Sequence, residues 1–254
     1  MSGGDFILET RALTKEFKGF VAVNKVDLRV RRGTIHALIG PNGAGKTTCF
    51  NLLTKFLEPT SGYIFYNGRD ITAARPADVA RRGLVRSFQI SAVFPHLSVR
   101  ENVRVALQRP LGNSFQFWRS ERVLDRFNDR ADALLDAVGL TGFAGHSAAA
   151  LPYGRKRALE IATTLALDPE VMLLDEPMSG LGQEDIGRIS GLIREAARDR
   201  TVLMVEHNLS VVADLSDTIT VLTRGSILAE GDYAAVSGNP EVVEAYMGTG
   251  AGHA

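Results

Sequence analysis

The spacing of apolar residues before position 40 predicts a strand-rich region. Three segments alternate or run apolar, and Lys18-Gly19 and Arg32-Gly33 separate them as turn residues do: FILETRAL, VAVNKVDLRV and TIHALIG. A helix, CFNLLTKFL, comes next and ends before Pro59. SGYIFYNGRDI then predicts a hairpin with Asn67-Gly68 at its turn.

The spacing becomes helical from residue 96 to 167. Apolar positions in SERVLDRFNDRADALLDAVGL recur every three or four residues, and Gly139 follows them as the residue just past a helix end does. These positions are Val123, Leu124, Phe127, Ala131, Leu134, Leu135 and Val138. We therefore expect a helical insert.

The last third of the chain alternates between strand and helix patterns. The expected elements are strand 171–174, helix 183–198, strand 201–206, helix 208–215 and strand 218–222. This rhythm is typical of a parallel sheet covered by helices. We expect the tail from Gly248, GTGAGHA, to be disordered.

Composition narrows the class of protein. The 254 residues suffice for one large domain or two small ones, and 29 basic residues balance 29 acidic ones. A formal charge of zero provides no general attraction to nucleic acid or anionic lipid. The single cysteine, Cys49, indicates a reducing compartment and a packing role. We see no secretory signal or membrane span, and expect a cytosolic chain that reaches a membrane only through a partner.

GPNGAGKT, residues 40–47, matches the phosphate-loop pattern GxxxxGK[ST] and lies between the apolar strand IHALI and a helix. Such glycines let backbone N–H groups converge on phosphate, Lys46 reaches the β and γ phosphates, and the Thr47 hydroxyl ligates Mg²⁺. We assign ATP binding to Gly40, Pro41, Asn42, Gly43, Ala44, Gly45, Lys46, Thr47 and Thr48.

VMLLDEP is a buried strand that ends in two acids, at a place where α/β sheets hold ligands. Asp175 is positioned to hold Mg²⁺, and Glu176 to polarise the water that attacks the γ-phosphate. The alternative is an acid pair that caps the following turn.

With these motifs in order, the chain resembles the nucleotide-binding subunit of an ABC transporter, from the strand preceding Phe17 to about Met247. The resemblance implies that Phe17 stacks on adenine, although a half-buried strand aromatic is the alternative. It implies that Gln89, in VRSFQ, contacts Mg²⁺ or the attacking water, and that His207, after TVLMVE, contacts the γ-phosphate.

The implied fold is α/β, a P-loop NTPase (RecA-like) core with an N-terminal antiparallel β subdomain and an inserted helical subdomain. One ABC ATPase domain spans 1–247, with core and β subdomain in 1–95 and 156–247, the helical subdomain in 96–155, and a flexible tail in 248–254.

The family signature LSGGQ is altered here. Its counterparts are Leu151, Pro152, Tyr153, Gly154 and Arg155. Pro152 removes a hydroxyl and an N–H but suits the first position of a helix. The resemblance implies that Tyr153, Gly154 and Arg155 face ATP bound to a second subunit.

The basic run that starts at Arg155 and continues through Lys156 and Arg157 opposes the helix macrodipole, so it either attracts an anion or forms a solvated basic face. Gly182, in SGLG, stands where the family usually has aspartate, which puts coupling across the dimer in doubt.

Subfamily features resemble the ATPase subunits of branched-chain amino-acid uptake systems: YG with a basic run and LEIA, FNLLTKFLEPTSGYIFYNGRDI, and NPEVVEAYMG. We expect ATP and Mg²⁺ as cofactors and a homodimer or paralogous heterodimer at the cytoplasmic face of the inner membrane. The expected partners are membrane permease subunits and, indirectly, a periplasmic solute-binding protein, with no nucleic acid.

Alternative functions are a soluble non-transport ABC ATPase and a weakly hydrolysing structural subunit, and alternative solutes are urea, short amides and aromatic acids. The basic stretch from Arg75 to Arg109 is either the flank of a groove for the permease or ordinary surface charge. Its other arginines are Arg81, Arg82, Arg86, Arg100 and Arg104.

Overall fold

Two β-sheets divide the strands of the chain. This computed structural model describes residues 5–87, 93–108 and 125–247. The strands are β1 (Phe6–Phe17), β2 (Phe20–Val26), β3 (Arg29–Arg31), β4 (Ile35–Ile39), β5 (Ser61–Tyr66), β6 (Arg69–Asp70), β7 (Leu84–Arg86), β8 (Val171–Asp175), β9 (Thr201–Val205), β10 (Thr218–Thr223) and β11 (Ser226–Gly231). One sheet has the order β2-β1-β5-β6 with β3 on β1, and the other has the order β11-β10-β4-β9-β8-β7.

The first sheet is antiparallel throughout. The predicted segment VAVNKVDLRV splits into β2 and β3, with Asp27 and Leu28 between them. At this break the Asp27 carboxylate accepts the backbone N–H of Ala12 at 2.7 Å. The predicted turn at Asn67-Gly68 is confirmed, with φ of +50° and +70°. Two successive positive φ angles are those of a type I′ hairpin.

The second sheet is parallel except for the antiparallel β10–β11 pair. The parallel sheet predicted from the alternation after residue 170 is confirmed. Successive side chains along its strands point into two different apolar cores. In β8, Met172 and Leu174 face one core, while Val171 and Leu173 face the other. Both faces are covered, as a parallel sheet requires.

Nine α-helices lie among the described residues. They are α1 (Lys46–Leu53), α2 (Pro76–Arg81), α3 (Val99–Gln108), α4 (Asn128–Ala137), α5 (Tyr153–Leu165), α6 (Gln183–Ala196), α7 (Leu209–Leu215), α8 (Tyr233–Ser237) and α9 (Pro240–Met247). The prediction that α1 extends almost to Pro59 is wrong: α1 ends at Leu53, and Lys55 adopts a φ of +64°, a left-handed conformation that cannot continue the helix.

Helices α3, α4 and α5 pack on one another and share their core with the parallel sheet. Gly139 follows α4 with a φ of +68°, as expected for the residue past a helix end. Val123, Leu124 and the tail from Gly248 lie outside the described residues. The subdomain boundaries stay a prediction.

Within the described ranges, no helix combines the length and apolar character that crossing a bilayer requires. Cys49 is fully buried beneath the phosphate loop, and burial raises the pKa of its thiol to about 12. The packing role predicted for this cysteine agrees with that environment.

Candidate nucleotide site

The predicted phosphate loop, acid pair and histidine meet at one edge of the parallel sheet. Strand β4 runs into the loop at Gly40, β8 ends at Asp175, and β9 precedes Glu206 and His207. Since β4 pairs with β9 and β9 with β8, all in parallel, their carboxyl ends lie side by side. This is the edge at which open α/β sheets bind ligands.

Glycines in the loop are required both by backbone angle and by space. Gly40 and Gly45 have φ of +148° and +99°. A Cβ on Gly40 would lie 2.1 Å from the carbonyl oxygen of Leu222, and one on Gly45 would lie 2.4 Å from that of Ala22. Strands β2 and β10 therefore press against the loop and fix its path.

Lys46, the first residue of α1, folds back over the loop. Its Nζ donates to the carbonyl oxygens of Gly40 at 2.6 Å and Pro41 at 3.0 Å. Burial lowers the pKa of Lys46, and the nearby charges of Glu176 and Asp175 act in the opposite direction. The acids and the lysine therefore share one electrostatic site. Thr47 lies next to Lys46 in the first turn of α1.

The two acids differ in environment. Asp175 is buried and forms an ion pair with Arg86, whose guanidinium also donates to Asn51 Oδ1 in α1. Glu176 is less buried and adopts a φ of +46°, a conformation that is uncommon for a residue with a Cβ. The strand-ending pair is thus a buried carboxylate beside a more accessible, strained one.

This chemistry fits Mg²⁺. Among the described residues, no group of three or more His, Cys, Asp or Glu side chains could hold a metal ion. Mg²⁺ usually takes one or two protein oxygens together with water and substrate phosphates. The Thr47 hydroxyl and the Asp175 carboxylate suit that mode. In this structure the Asp175 carboxylate pairs with the Arg86 guanidinium, so it already lies beside a positive charge.

Glu206 organises the segment that carries His207. Its carboxylate is fully buried and accepts three backbone N–H groups, from Met178 at 3.0 Å, His207 at 2.8 Å and Asn208 at 2.9 Å. The imidazole of His207 is 62% exposed. One buried carboxylate therefore joins the loop after the acid pair to the loop after β9, and leaves the histidine ring accessible.

The altered signature begins α5. Pro152 is the N-cap and Tyr153 begins the helix, so the proline lies one residue before the first helical position. The Tyr153 hydroxyl donates to the Ser179 carbonyl oxygen at 3.1 Å, and its ring lies against Gly180. Tyr153 thus ties the signature to the SGLG loop.

Gly154 is buried under α6. A Cβ there would lie 2.0 Å from Oδ2 of Asp185, which also pairs with Arg188. Gly182 is the N-cap of α6 and brings no side chain to this region. Glycine at position 154 therefore permits close packing of the two helices, in addition to any contact with nucleotide.

The basic run has structural partners. The Arg155 guanidinium lies 4.2 Å from the centre of the Phe143 ring, and Arg157 is buried in an ion pair with Glu160. For Arg157, the alternative of a solvated basic face is therefore wrong.

Phe17 is 42% exposed at the end of β1, with Lys15 Nζ 5.1 Å from the centre of its ring. That exposure leaves part of the ring accessible for stacking, and a half-buried strand aromatic has the same exposure, so the stacking role of Phe17 stays a prediction. Gln89 lies outside the described residues. Its predicted role is not tested by the geometry.

A groove of about 490 Å³ lies beside the site, between α2, α3 and α5. Phe56, Phe94, Val105, Arg86 and Glu160 are among the residues that line it. Of the basic residues predicted for this region, Arg75 and Arg81 pair with Asp78, Arg86 with Asp175, Arg100 with Asp132, and Arg104 with Asp125. The groove is thus mainly apolar, and much of the local positive charge is neutralised.

Sequence reasoning missed three residues that contact the motifs. Arg86 pairs with Asp175, Glu206 holds the His207 backbone, and Tyr246 of α9 meets the backbone of Gly40. Arg86 and Glu206 each lie within three residues of a predicted site residue, and Arg86 also belongs to the predicted basic stretch, but neither signal indicates these contacts. Tyr246 lies about two hundred residues away and carries none.

Comparison with known proteins gives matches over nearly the whole chain. A family model described as ABC transporter matches residues 23–179, and one described as branched-chain amino acid ATP-binding cassette transporter matches residues 226–252. The chain is 40% identical over 252 residues to the high-affinity branched-chain amino acid transport ATP-binding protein BraF of Pseudomonas aeruginosa, covering 95% of this chain and 98% of that protein. It is 37% identical over 254 residues to LivG of Escherichia coli, which has the same descriptive name, with the same coverage.

Solved structures give the same result. A nucleotide-free ATP-binding cassette from an ABC transporter superposes with a TM-score of 0.83 at 28% identity, covering 95% of this chain and 98% of that one. The ADP conformation of MJ1267, an ATP-binding cassette of an ABC transporter, gives 0.83 at 29% identity, covering 96% and 99%. The predicted fold class, a P-loop NTPase core with an antiparallel β subdomain and a helical insert, is confirmed.

Proposed function

The chain belongs to the ABC transporter family of ATPases, and from this membership we propose that it energises an importer of branched-chain or other hydrophobic amino acids. The relatives named for branched-chain amino acid transport match nearly the whole chain, and the second family model covers its C-terminal region. Urea, short amides and aromatic acids are the competing solutes.

One observation carries the proposal for ATP hydrolysis: the phosphate loop, the acid pair and His207 share one sheet edge, and the charges of both acids reach Lys46. Lys46 and the N-terminus of α1 would bind the phosphates of ATP. Thr47, Asp175 and Gln89 would ligate Mg²⁺, which neutralises developing charge on the phosphates.

Glu176 acts as the group that orients and polarises the attacking water, His207 contacts the γ-phosphate, and Phe17 stacks on adenine. Tyr153, Gly154 and Arg155 face the ATP of a second ATPase subunit. Transfer of a phosphoryl group depends mainly on positioning and charge, and these residues supply the types of group that the reaction requires.

The groove supports the proposed permease partner. Its apolar lining and exposed Phe56 and Phe94 suit a short helix from a membrane permease, which would hold the chain at the cytoplasmic face of the inner membrane. A periplasmic solute-binding protein would act on the other side of that permease.

We expect Glu176→Gln to abolish ATP turnover while dimers accumulate in MgATP, because nucleotide still binds but the water is no longer activated. Turnover is measured by phosphate release and dimerisation by light scattering after size-exclusion chromatography. Glu195→Gln is the matched control, since that exposed glutamate lies on α6 away from the sheet edge. Equal turnover in Glu176→Gln and the unaltered chain would remove Glu176 from this role.

The solute is tested by uptake. Cells that lack the chromosomal gene receive either the unaltered chain or Glu176→Gln, and uptake of labelled leucine, phenylalanine and urea is compared. We expect leucine uptake to depend on the active chain. Dependence of urea uptake alone would assign the competing solute.

A further inference from the structure

Arg157 joins the proposed catalytic carboxylate to the groove proposed for the permease. Its Nη1 donates to Glu160 Oε2 at 2.8 Å, and the two side chains are only 7% and 5% exposed. Its Nη2 lies 3.5 Å from the main-chain carbonyl oxygen of Glu176. The same guanidinium lies 5.7 Å from the centre of the Tyr153 ring.

A buried ion pair of this kind contributes little net stability, because desolvation of both charges offsets their attraction. Apolar replacements of similar volume are often neutral or stabilising. Stabilising α5 therefore does not explain this pair, and another role has to be considered. Its contact with Glu176 and with the signature tyrosine supplies one.

Glu176 needs external support for its backbone. Its φ of +46° is disfavoured for a residue with a Cβ and persists only where neighbours hold it. Its N–H donates to the Val205 carbonyl at 2.9 Å, and its own carbonyl accepts from Ser179 N–H at 3.1 Å. Arg157 adds a charged donor to that carbonyl and so helps to fix the direction of the Glu176 side chain.

The other end of the pair faces the groove. Glu160 lines it together with Thr163 and Thr164, whose hydroxyls donate to the Glu160 main-chain oxygen at 2.9 and 2.8 Å. A segment that enters the groove therefore contacts the turn of α5 that contains Glu160, the ion-pair partner of Arg157.

We propose that Arg157 is a positioning residue for hydrolysis: anchored by Glu160, it fixes the main chain of Glu176 and transmits occupancy of the groove to that carboxylate. The proposal rests on the proposed roles of Glu176 and of the groove. It concerns the chemical step and not nucleotide binding, because the hydrogen bond of Arg157 outside its ion pair goes to the main chain of the water-activating residue, whereas it contacts Tyr153 only through the ring.

The test replaces the pair by apolar residues of similar length, Arg157→Met with Glu160→Met, in the full chain. We expect an unchanged melting temperature, an unchanged KM for MgATP and unchanged ATP-driven dimerisation, with kcat lower by about 10-fold to 100-fold, the range for a small misplacement of a reacting group. Arg157→Lys keeps the charge but loses the forked donor, and we expect an intermediate kcat. Arg198→Met with Glu195→Met, an exposed pair at the end of α6, is the matched control.

An unchanged kcat in the double variant, with Glu176→Gln inactive, overturns the proposal and leaves the proposed function intact. A parallel change of melting temperature, KM and kcat also overturns it, because a merely structural pair would act that way. Full turnover in Glu176→Gln would instead refute the proposed function itself, independently of Arg157.

A second arm addresses the groove. Thr163→Cys introduces a thiol in the groove, while the natural Cys49 is fully buried and protected from a bulky maleimide. We expect the attached group to change kcat by at least about threefold when Arg157 and Glu160 are present, and not when both are methionine; such a change is about 0.6 kcal/mol, within the range of site-to-site coupling energies. Equal effects in both backgrounds would overturn transmission through this pair.

Discussion

At the scale of single residues, the altered signature is a structural junction as well as a candidate ligand site. Tyr153 replaces a glycine of the family pattern and reaches across to the Ser179 carbonyl, which no glycine could do. Gly154 is needed because the Asp185 carboxylate occupies the space that a Cβ would fill. The two residues therefore fix how α5 meets the SGLG loop and α6, whatever their contact with nucleotide.

The buried carboxylate of Glu206 provides a prediction at this scale. Glu206→Ala leaves the buried N–H of Met178 and the part-buried N–H groups of His207 and Asn208 without their acceptor. Since each unsatisfied buried group costs about 1–3 kcal/mol, we expect the free energy of unfolding to fall by roughly 3 kcal/mol or more. Turnover falls with it, because the His207 backbone is no longer fixed.

Urea unfolding and phosphate release measure the two effects of Glu206→Ala. Glu206→Gln keeps one acceptor oxygen and is expected to show a smaller loss, about 2 kcal/mol. The exposed Glu195→Gln is the control. A stability within about 0.5 kcal/mol of the unaltered chain, the range of ordinary surface substitutions, would show that the three N–H groups find other acceptors.

At the scale of elements, strand β7 carries Arg86 into the site and pairs it with Asp175. Arg86→Met removes the ion-pair partner of the buried Asp175 carboxylate and leaves Lys46 as a nearby cation, and breaking a buried pair from one side costs about 3–5 kcal/mol. We expect a stability loss of about that size without nucleotide. Because Asp175 is a proposed Mg²⁺ ligand, MgATP restores a compensating cation and recovers part of the loss.

Thermal unfolding with EDTA, ATP alone and MgATP distinguishes these contributions. The stabilisation by MgATP is expected to be larger in Arg86→Met than in the unaltered chain, while ATP alone has no extra effect. Arg100→Met, which breaks the exposed pair with Asp132, is the control. An equal MgATP increment in Arg86→Met and the control would argue against Asp175 as the ligand.

The elements that sequence predicted are those whose signal is local. Continuous apolar runs placed β8 and β9, and the glycine pattern placed the phosphate loop, because each depends on neighbouring residues. Pairs such as Arg86 with Asp175 are separated by 89 positions and leave no periodic trace. The end of α1 was missed because the left-handed backbone of Lys55, and not the distant proline, terminates it, and a lysine gives no sequence signal for that conformation.

At the scale of the whole molecule, segments from distant parts of the chain converge on the phosphate loop. The carbonyl of Ala22 in β2 closes on Gly45, and the N–H of Gly225, in the β10–β11 turn, donates to Ala44 at 3.0 Å. Gly225 in turn accepts the N–H of Asn24 at 2.8 Å. The loop is therefore held by the antiparallel sheet and the C-terminal hairpin together, and its geometry depends on the packing of the entire fold.

Helix α9 adds the C-terminal side of this arrangement. Tyr246 packs against the core that the helices share with the parallel sheet. Burial raises the pKa of its hydroxyl, and the contact of that hydroxyl with the backbone of Gly40 acts in the opposite direction. We expect Tyr246→Phe, which keeps the ring, to change stability by less than about 1 kcal/mol, the usual worth of one hydrogen bond, yet to weaken ATP binding about two- to fivefold. Tyr246→Ala also removes packing and is expected to cost about 2 kcal/mol, less than a fully buried aromatic.

Titration with a fluorescent ATP analogue and urea unfolding separate the two effects of Tyr246. Tyr233→Phe, an exposed tyrosine in α8, is the matched control for loss of a hydroxyl in the same region. Loss of affinity in Tyr246→Phe without loss of stability means that α9 acts on the phosphate loop through the Gly40 backbone. Unaltered ATP affinity in Tyr246→Phe would mean that α9 only packs against the core, through the ring of Tyr246.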